Sequence, residues 1–125
     1  MSLHLVALVL ALPMWAQAIA MPAVSRVQYV DALPAGIVGY AYTTSEGEIL
    51  ITPACRTSDE ILMQCLVHEG RHLQGHGECL GYVSQLVLAW ELQQSDAAII
   101  WVRNLYLRYG EPACLLNDVE GYDKY

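Results

Sequence analysis

Hydrophobic and polar positions divide the chain into an apolar N-terminal segment, a strand-forming segment and a helical half. Residues Met1–Ala20 contain no Asp, Glu, Lys or Arg, and Leu3–Leu12 is almost wholly aliphatic. A mixed stretch around Val27 predicts a short strand. A clearer signal is Gly36–Thr52, where β-branched and aromatic runs lie on both sides of a turn that contains Gly47. This second pattern predicts a β-hairpin.

The first helix after the hairpin has a recognisable beginning and end. Thr57 is expected to be its N-cap, and Glu60, three residues later, would complete a capping box. Apolar positions then recur at helical spacing as far as Leu73, and Gly75 is expected to end the helix. Gly70 lies in the middle, where glycine destabilises a helix by about 0.5–1 kcal/mol relative to alanine. A close approach of the hairpin to the helix at Gly70 would explain this choice of residue.

Two further helices are predicted, followed by an irregular chain end. The second helix begins at Glu78, where a new series of apolar residues at helical spacing starts. Ser95 or Asp96 is expected to cap the third helix, and Gly110 is expected to close it. The polar tail Glu111–Tyr125 predicts no regular structure. The fold class is therefore α+β, with a small β-hairpin or sheet packed on a metal-binding helix that two further helices follow.

The apolar N-terminal segment has the layout of a secretory signal peptide. Its aliphatic run is short for a membrane span, Pro13 ends the run, and the small residues Ala18 and Ala20 offer cleavage sites. The predicted organisation is a signal peptide, residues 1–20, and one mature domain, residues 21–125, with no stable membrane span after cleavage. An uncleaved N-terminal anchor and a buried core helix remain the alternative interpretations.

Four cysteines predict two disulfides in an exported domain. Three pairings are possible, and the sequence does not choose among them. No Cys-x-x-Cys pair is present, which disfavours a cysteine metal site. Together with the signal peptide, these cysteines predict a secreted or periplasmic location. The four residues are Cys55, Cys65, Cys79 and Cys114.

Charge and composition narrow the classes of partner. Thirteen acidic residues against six Lys and Arg give a formal net charge of −7. Nucleic-acid binding needs clustered cations, so this balance argues against it and against an anionic membrane surface as partner. Hydrophobic residues make up 55% of the chain, which excludes intrinsic disorder. A chain of 125 residues has room for one domain, and its sequence leaves the oligomeric state undefined.

One segment of the first helix carries the candidate chemistry, and it reads His68-Glu69-Gly70-Arg71-His72. His68 and His72 are four residues apart, so both imidazoles leave the same face of the helix one turn apart. That spacing lets two nitrogens reach one Zn²⁺ ion at about 2.0–2.1 Å. Glu69 lies about 100° around the helix from His68. It is therefore expected to act as general base towards a metal-activated water.

This His-Glu-x-x-His pattern resembles the zincin class of zinc metallopeptidases, and the resemblance covers roughly residues 36–90. In that class a hairpin edge strand holds an extended substrate beside the metal-binding helix, and residues 37–52 would be its counterpart here. The resemblance implies a Zn²⁺ cofactor, a peptide or protein substrate, and hydrolysis of peptide bonds with Glu69 as general base. The class fold otherwise implies a longer chain, so this protein would be a minimal version.

A catalytic zinc site needs a third protein ligand, and Glu78 is the expected one. Gly75 and Gly77 turn the chain after the helix, so that Glu78 can fold back to the metal. The arrangement looks like the metzincin pattern H-E-x-x-H-x-x-G-x-x-H, with Glu78 in the place of the last His and without a later Met for the Met-turn. Gluzincin-like enzymes instead take a Glu from the following helix, which Glu78 begins. His76 and Glu91 remain open as alternative ligands.

Tyr82, one turn beyond Glu78, is the candidate donor of a hydrogen bond to the transition state. Plain packing in the core is the alternative interpretation of this side chain. The predicted function is an exported zinc-dependent peptidase. The alternative is a non-catalytic secreted domain that binds zinc or is held together by its disulfides and serves in interactions.

Overall fold

The computed structural model, which describes residues 2–116, contains helices and a small three-stranded sheet. The expected α+β class and the β-hairpin are both confirmed. In chain order the elements are α1 (Leu3–Leu10), α2 (Met14–Val24), β1 (Val27–Tyr29), β2 (Ala41–Thr43), β3 (Ile49–Ile51), a 3₁₀ turn (Pro53–Arg56), α3 (Asp59–Leu73), α4 (Glu78–Glu91), α5 (Asp96–Leu105), a π-helical turn (Tyr106–Gly110) and α6 (Glu111–Leu116).

The central strand of the sheet is β3, and all of its residues are buried. It pairs in parallel with β1 and antiparallel with β2, where Ala41 lies opposite Ile51. Gly47 has φ +82 in the turn between β2 and β3, a left-handed conformation that favours glycine. As a result β2 is an edge strand of the described sheet, and it contacts α3, the helix that carries His68 and His72.

The N-cap of α3 is Ser58, so the prediction of Thr57 is wrong. Ser58 has an extended backbone, and its hydroxyl accepts a hydrogen bond from the Ile61 amide. Thr57 already has helical backbone angles at the end of the 3₁₀ turn, which an N-cap residue does not have. Glu60 does not complete a capping box either, because its carboxylate accepts hydrogen bonds from the amide and hydroxyl of Ser95.

The other boundaries of the central helices agree with the sequence. α3 ends at Leu73, and Gly75 follows in the left-handed region with φ +87. α4 begins at Glu78. Ser95 caps α5, since its hydroxyl accepts a hydrogen bond from the Ala98 amide. The end of α3 and the start of α4, between which the chain turns at the candidate ligands, are therefore set by features that are visible in the sequence.

The chain after α5 is more regular than expected. Gly110 does not close α5, because the chain passes through the π-helical turn into α6. Gly110 is needed for packing instead, since a Cβ there would lie 2.8 Å from the Cβ of Tyr82. The prediction of an irregular tail is wrong for Glu111–Leu116, where buried Ala113 and the disulfide of Cys114 hold α6 against the domain. The rest of the predicted tail, residues 117–125, lies outside the described residues.

Both predicted disulfides are confirmed, and the structure chooses one of the three pairings. Cys55 pairs with Cys65, which ties the 3₁₀ turn to α3. Cys79 pairs with Cys114, which ties α4 to α6. Each bridge is of the kind that contributes about 2–4 kcal/mol to stability. Two disulfides in so small a domain fit an extracellular location.

The apolar N-terminal segment forms two helices that pack into the core. In the described part of the chain, no helix is long and apolar enough to cross a membrane. Cleavage of a signal peptide stays a prediction, and it would take α1 and part of α2 away from this core. The buried side chains of these two helices and of the turn between them are Leu5, Leu8, Val9, Leu12, Ala16, Ile19, Ala20, Ala23 and Val24.

The glycine in the middle of α3 is explained by α2 and not by the hairpin. A Cβ on Gly70 would lie 2.6 Å from the backbone oxygen of Ile19 and 2.8 Å from a methyl carbon of the same residue. No side chain is small enough for that gap except the hydrogen of glycine. The expectation that the hairpin approaches α3 at Gly70 is therefore wrong, because α2 occupies that position.

Candidate metal centre

Two histidines of α3 bring their ring nitrogens together. The Nε2 atoms of His68 and His72 are 3.1 Å apart, as expected for side chains one helical turn apart. Both residues and Glu69 offer ligand atoms that lie within 4.8 Å of one another, so this group could hold a metal ion. His68 and Glu69 are buried, whereas the side chain of His72 is 17% exposed and can be reached from the surface.

Glu78 comes closest to both histidines. Its Oε1 lies 2.5 Å from the Nε2 of His72 and 3.1 Å from the Nε2 of His68. The left-handed Gly75 reverses the chain after α3, and Gly77 has the extended backbone of the N-cap of α4. Two ligands of a tetrahedral zinc ion lie about 3.3 Å apart. The two 3.1 Å separations are close to that value, whereas the 2.5 Å between Glu78 and His72 is the distance of a short hydrogen bond that would lengthen around an ion.

The second ring nitrogen of each histidine is engaged elsewhere. The Nδ1 of His68 lies 2.5 Å from the Oε1 of Gln85, within hydrogen-bond distance. The Nδ1–H of His72 donates to the backbone oxygen of His76 at 2.8 Å. In a neutral imidazole the proton on Nδ1 leaves a lone pair on Nε2. Both Nε2 atoms face the oxygen of Glu78, and each would offer its lone pair to a metal ion once Nε2 is deprotonated, which is the arrangement of supported metal ligands.

The two alternative third ligands have other contacts. His76 supports His72 through its backbone oxygen, while its side chain has no described hydrogen bond to the two histidines. Glu91, at the far end of α4, accepts a hydrogen bond from the indole Nε1 of Trp15 at 2.7 Å. The carboxylate of Glu91 thus belongs to the contact between α4 and α2, and Glu91 does not line the cleft at the histidines.

Glu69 is a buried carboxylate beside the histidine pair, only 4% exposed. Its Oε1 accepts a hydrogen bond of 2.9 Å from the hydroxyl of Thr43 on β2, and its Oε2 lies 3.8 Å from the Nε2 of His68. Thr43 therefore orients the carboxylate from the edge strand. The sequence analysis missed this threonine, because its role depends on how the hairpin packs on α3.

Tyr82 and Gly81 form the wall behind His68. The ring of Tyr82 packs edge-on against the ring of His68 with 4.5 Å between centroids, and it stacks on Tyr109. Burial, together with the nearby carboxylates, raises the pKa of Tyr82 above its usual value, so the phenol stays protonated. A Cβ on Gly81 would lie 2.9 Å from two atoms of the His68 ring. Glycine at position 81 therefore makes room for this histidine.

His72 and Glu78 form an ion pair. Burial lowers the pKa of His72, but the hydrogen bond to Glu78 and the charge of Glu69 more than offset burial and raise the pKa to about 9. Burial favours a higher pKa for Glu78, yet its contacts with His68 and His72 hold the pKa well below 4.5. Near neutral pH, His72 carries a proton that a metal cation would have to displace.

This ion pair predicts how stability depends on pH. The pKa of His72 is about 9 in the folded chain against an ordinary value of 6.5, so its stabilisation is complete below 6.5 and is lost as pH rises through about 9. The lowered pKa of Glu78 gives a contribution that is present above 4.5 and is lost in acid. After chelator treatment, we expect the melting temperature to fall by several degrees between about pH 6.5 and about pH 9.5.

Thermal melts of the chelator-treated protein test this pH dependence, with His72→Gln as the control. The variant cannot take up the proton, so its melting temperature should change much less over the same range. An equal fall in both proteins would show that other groups cause the effect.

A cleft of about 760 Å³ opens at the histidines and Glu78. Residues 36–45, which include β2, form one side of the cleft. Tyr40 and Trp101 contact each other across it, with ring centroids 5.8 Å apart. Among the described residues, no Lys or Arg lines the cleft. Its large apolar and aromatic lining residues are Ile37, Val38, Tyr40, Tyr42, Tyr82, Trp101 and Leu105.

No known protein family, curated protein or solved structure matches this chain. The described residues bring together His68, His72 and Glu78, with Glu69 and Tyr82 beside them.

Proposed function

We propose that this protein is an exported zinc-dependent peptidase in which His68, His72 and Glu78 hold the zinc ion. The observation that carries the proposal is the convergence of two Nε2 atoms and one Oε1 atom at separations of 2.5–3.1 Å, with the carboxylate of Glu69 beside them. The zincin-like order of these residues along the chain supports the same function.

The donor set favours zinc over calcium and magnesium. Two imidazole nitrogens and one carboxylate oxygen form a His₂Glu set, which is found in catalytic zinc sites with one open position. Calcium and magnesium prefer sites built from oxygen ligands alone. Zinc held by these residues supplies a Lewis acid for the peptide carbonyl and a water whose pKa is lowered towards about 7.

Glu69 is the proposed general base. It accepts a proton from the water that attacks the peptide carbonyl carbon, and it then delivers that proton to the nitrogen of the leaving amine. Thr43 holds the Oε1 of Glu69, which leaves Oε2 free on the side of the histidines. The protonated phenol of Tyr82 is the proposed hydrogen-bond donor to the oxyanion that develops on the carbonyl oxygen.

The proposed substrate is an extended peptide that lies along the edge strand β2. A peptide in the cleft would pair with backbone groups of β2 and place its side chains in pockets along the strand. The aromatic pair Tyr40 and Trp101 favours large apolar side chains at that position. Because the described cleft lining contains no cation to bind a terminal carboxylate, we propose cleavage within the peptide rather than removal of its last residue.

A matched pair of variants on α4 tests the ligand set. Glu78→Ala removes a proposed ligand, and we expect the zinc affinity to fall by more than about 100-fold. Glu91→Ala removes a carboxylate that contacts Trp15 at the other end of the same helix, so the zinc affinity should be retained. Competition with a chromophoric chelator measures both affinities. Loss of affinity in Glu91→Ala with retention in Glu78→Ala would contradict the proposed ligand set.

Peptide cleavage by the same proteins distinguishes a zinc peptidase from a domain that only binds zinc. Wild-type protein that binds one zinc ion per chain and cleaves no peptide in a mixed library would be a non-catalytic zinc-binding domain. Cleavage that depends on both zinc and Glu78 would support the peptidase.

A further inference from the structure

Three glutamines in the core form a chain of hydrogen bonds that ends at His68, and we call Gln85, Gln64 and Gln94 the glutamine chain. They are 2%, 0% and 7% exposed. The Nε2 of Gln85 donates to the Oε1 of Gln64 at 3.3 Å, and the Nε2 of Gln64 donates to the Oε1 of Gln94 at 2.8 Å. The last link is from the Nε2 of Gln94 to the backbone oxygen of Glu60 at 3.2 Å.

The far end of the glutamine chain fixes the direction of every amide in it. A backbone oxygen can only accept, so the amide nitrogen of Gln94 must face Glu60 and that of Gln64 must face the oxygen of Ala98 at 3.3 Å. The oxygen of Gln94 then faces the amide nitrogen of Gln64, and the oxygen of Gln64 faces the amide nitrogen of Gln85. The amide nitrogen of Gln85 therefore donates its hydrogen bond to Gln64, and the amide oxygen of Gln85 faces the ring of His68.

An amide oxygen has no hydrogen to offer, so the ring nitrogen that faces it must carry the proton. That nitrogen is the Nδ1 of His68, at 2.5 Å from the Oε1 of Gln85. A flip of the Gln85 amide would set its oxygen against the Oε1 of Gln64, so that two buried acceptors would face each other without a hydrogen, which costs about 1–3 kcal/mol each. Among the described residues, the structure has no buried side-chain polar atom without a hydrogen-bond partner.

We propose that the glutamine chain holds His68 as the Nδ1–H tautomer and so presents the Nε2 lone pair to the metal, with Gln85 as the positioning residue. The proposal rests on the proposed zinc site for its functional meaning. Gln64 lies one helical turn before His68 on α3, so the same helix face supplies the metal ligand and part of its support. The hydrogen bonds from Ser95 to the Glu60 carboxylate, both at 2.7 Å, fasten the far end of the chain.

The tautomer of His68 can be measured directly in the full-length, chelator-treated protein. Long-range ¹H–¹⁵N NMR of the labelled protein distinguishes a ring nitrogen that carries a proton from one that does not. The wild type should show the proton of His68 on Nδ1. In Gln85→Met, which has a similar volume and no oxygen, the preference for this tautomer should be lost and the affinity for Zn²⁺ should fall by about 10- to 100-fold.

Two further variants separate positioning from general damage to the fold. Gln85→Glu keeps an oxygen against Nδ1, so the tautomer should be retained. Ser84→Ala removes the neighbouring buried polar group of α4, which accepts from Arg71 and lies outside the glutamine chain. This control should keep both the tautomer and the wild-type affinity for Zn²⁺.

An Nε2–H tautomer of His68 in the wild type would overturn the proposal, as would an unchanged tautomer in a folded Gln85→Met variant. If Gln85→Met does not fold, the NMR measurement on the wild type still shows whether His68 carries its proton on Nδ1. The tautomer is measured without metal, so its result does not depend on whether the protein binds zinc or cleaves peptides. The protein could show the predicted tautomer, lose it in Gln85→Met, and still bind no Zn²⁺. That result would support the positioning role of Gln85 and reject the zinc site.

Discussion

Replacing Glu69 with Gln is expected to lower the rate of peptide hydrolysis by about 100- to 10,000-fold, which is the usual contribution of a general base. The amide of Gln has nearly the size of the carboxylate but cannot accept the proton of the attacking water. His68, His72 and Glu78 are untouched, so zinc should remain bound. The loss should therefore be found in kcat, with little change in zinc content.

Glu48→Gln is the matched control for this substitution. Glu48 lies in the turn of the hairpin, where it is exposed and outside the cleft lining. Its replacement makes the same chemical change and should leave the rate unchanged. Full activity of Glu69→Gln would contradict the role of Glu69, and loss of zinc from that variant would show that Glu69 is a ligand.

Placing an aspartate at Val9 is expected to destabilise the full chain by about 3–5 kcal/mol, the cost of a buried charge without a partner. Val9 is fully buried in the contact of α1 with the core, whereas its neighbour Leu10 is 61% exposed. Leu10→Asp should change the stability by no more than about 1 kcal/mol. Urea unfolding of the refolded, oxidised full chain measures both values.

This pair of variants also tests the interpretation of the N-terminal segment. A total stability of about 5–15 kcal/mol is usual for a domain, so the expected loss in Val9→Asp is a large part of it. Equal stability of both variants would show that α1 contributes nothing to the fold, as a removable signal peptide requires. Mass spectrometry of the exported protein would then give the cleavage position, predicted after Ala18 or Ala20.

The sequence predicts the candidate ligands better than the contacts around them. His68 and His72 meet because a four-residue spacing on a helix brings side chains together whatever surrounds the helix. Glu78 reaches them because Gly75 can adopt the left-handed backbone that reverses the chain. Both features are local, and a local pattern is visible in a sequence. The cap of α3 lies one residue beyond the predicted one, since Thr57 and Ser58 offer equivalent hydroxyls and only the backbone geometry distinguishes them.

Contacts between elements distant in sequence could not be predicted in this way. Thr43 meets Glu69, and Ile19 meets Gly70, only because separate elements pack on α3. The glutamine chain did leave one signal in the sequence, because Gln64 stands four residues before His68 and next to the apolar positions of α3. A buried amide at that spacing indicates a polar network, although its partners on α4 and α5 depend on the tertiary fold.

The most direct test of the proposed zinc peptidase is a zinc titration of the chelator-treated full chain with peptide cleavage as the readout. Cleavage should be absent without zinc, rise in proportion to the zinc added, and stop rising at one ion per chain. A His72→Ala protein should remain inactive throughout the titration. Cleavage that persists without zinc, or a wild type that stays inactive with one ion bound, would contradict the proposed function.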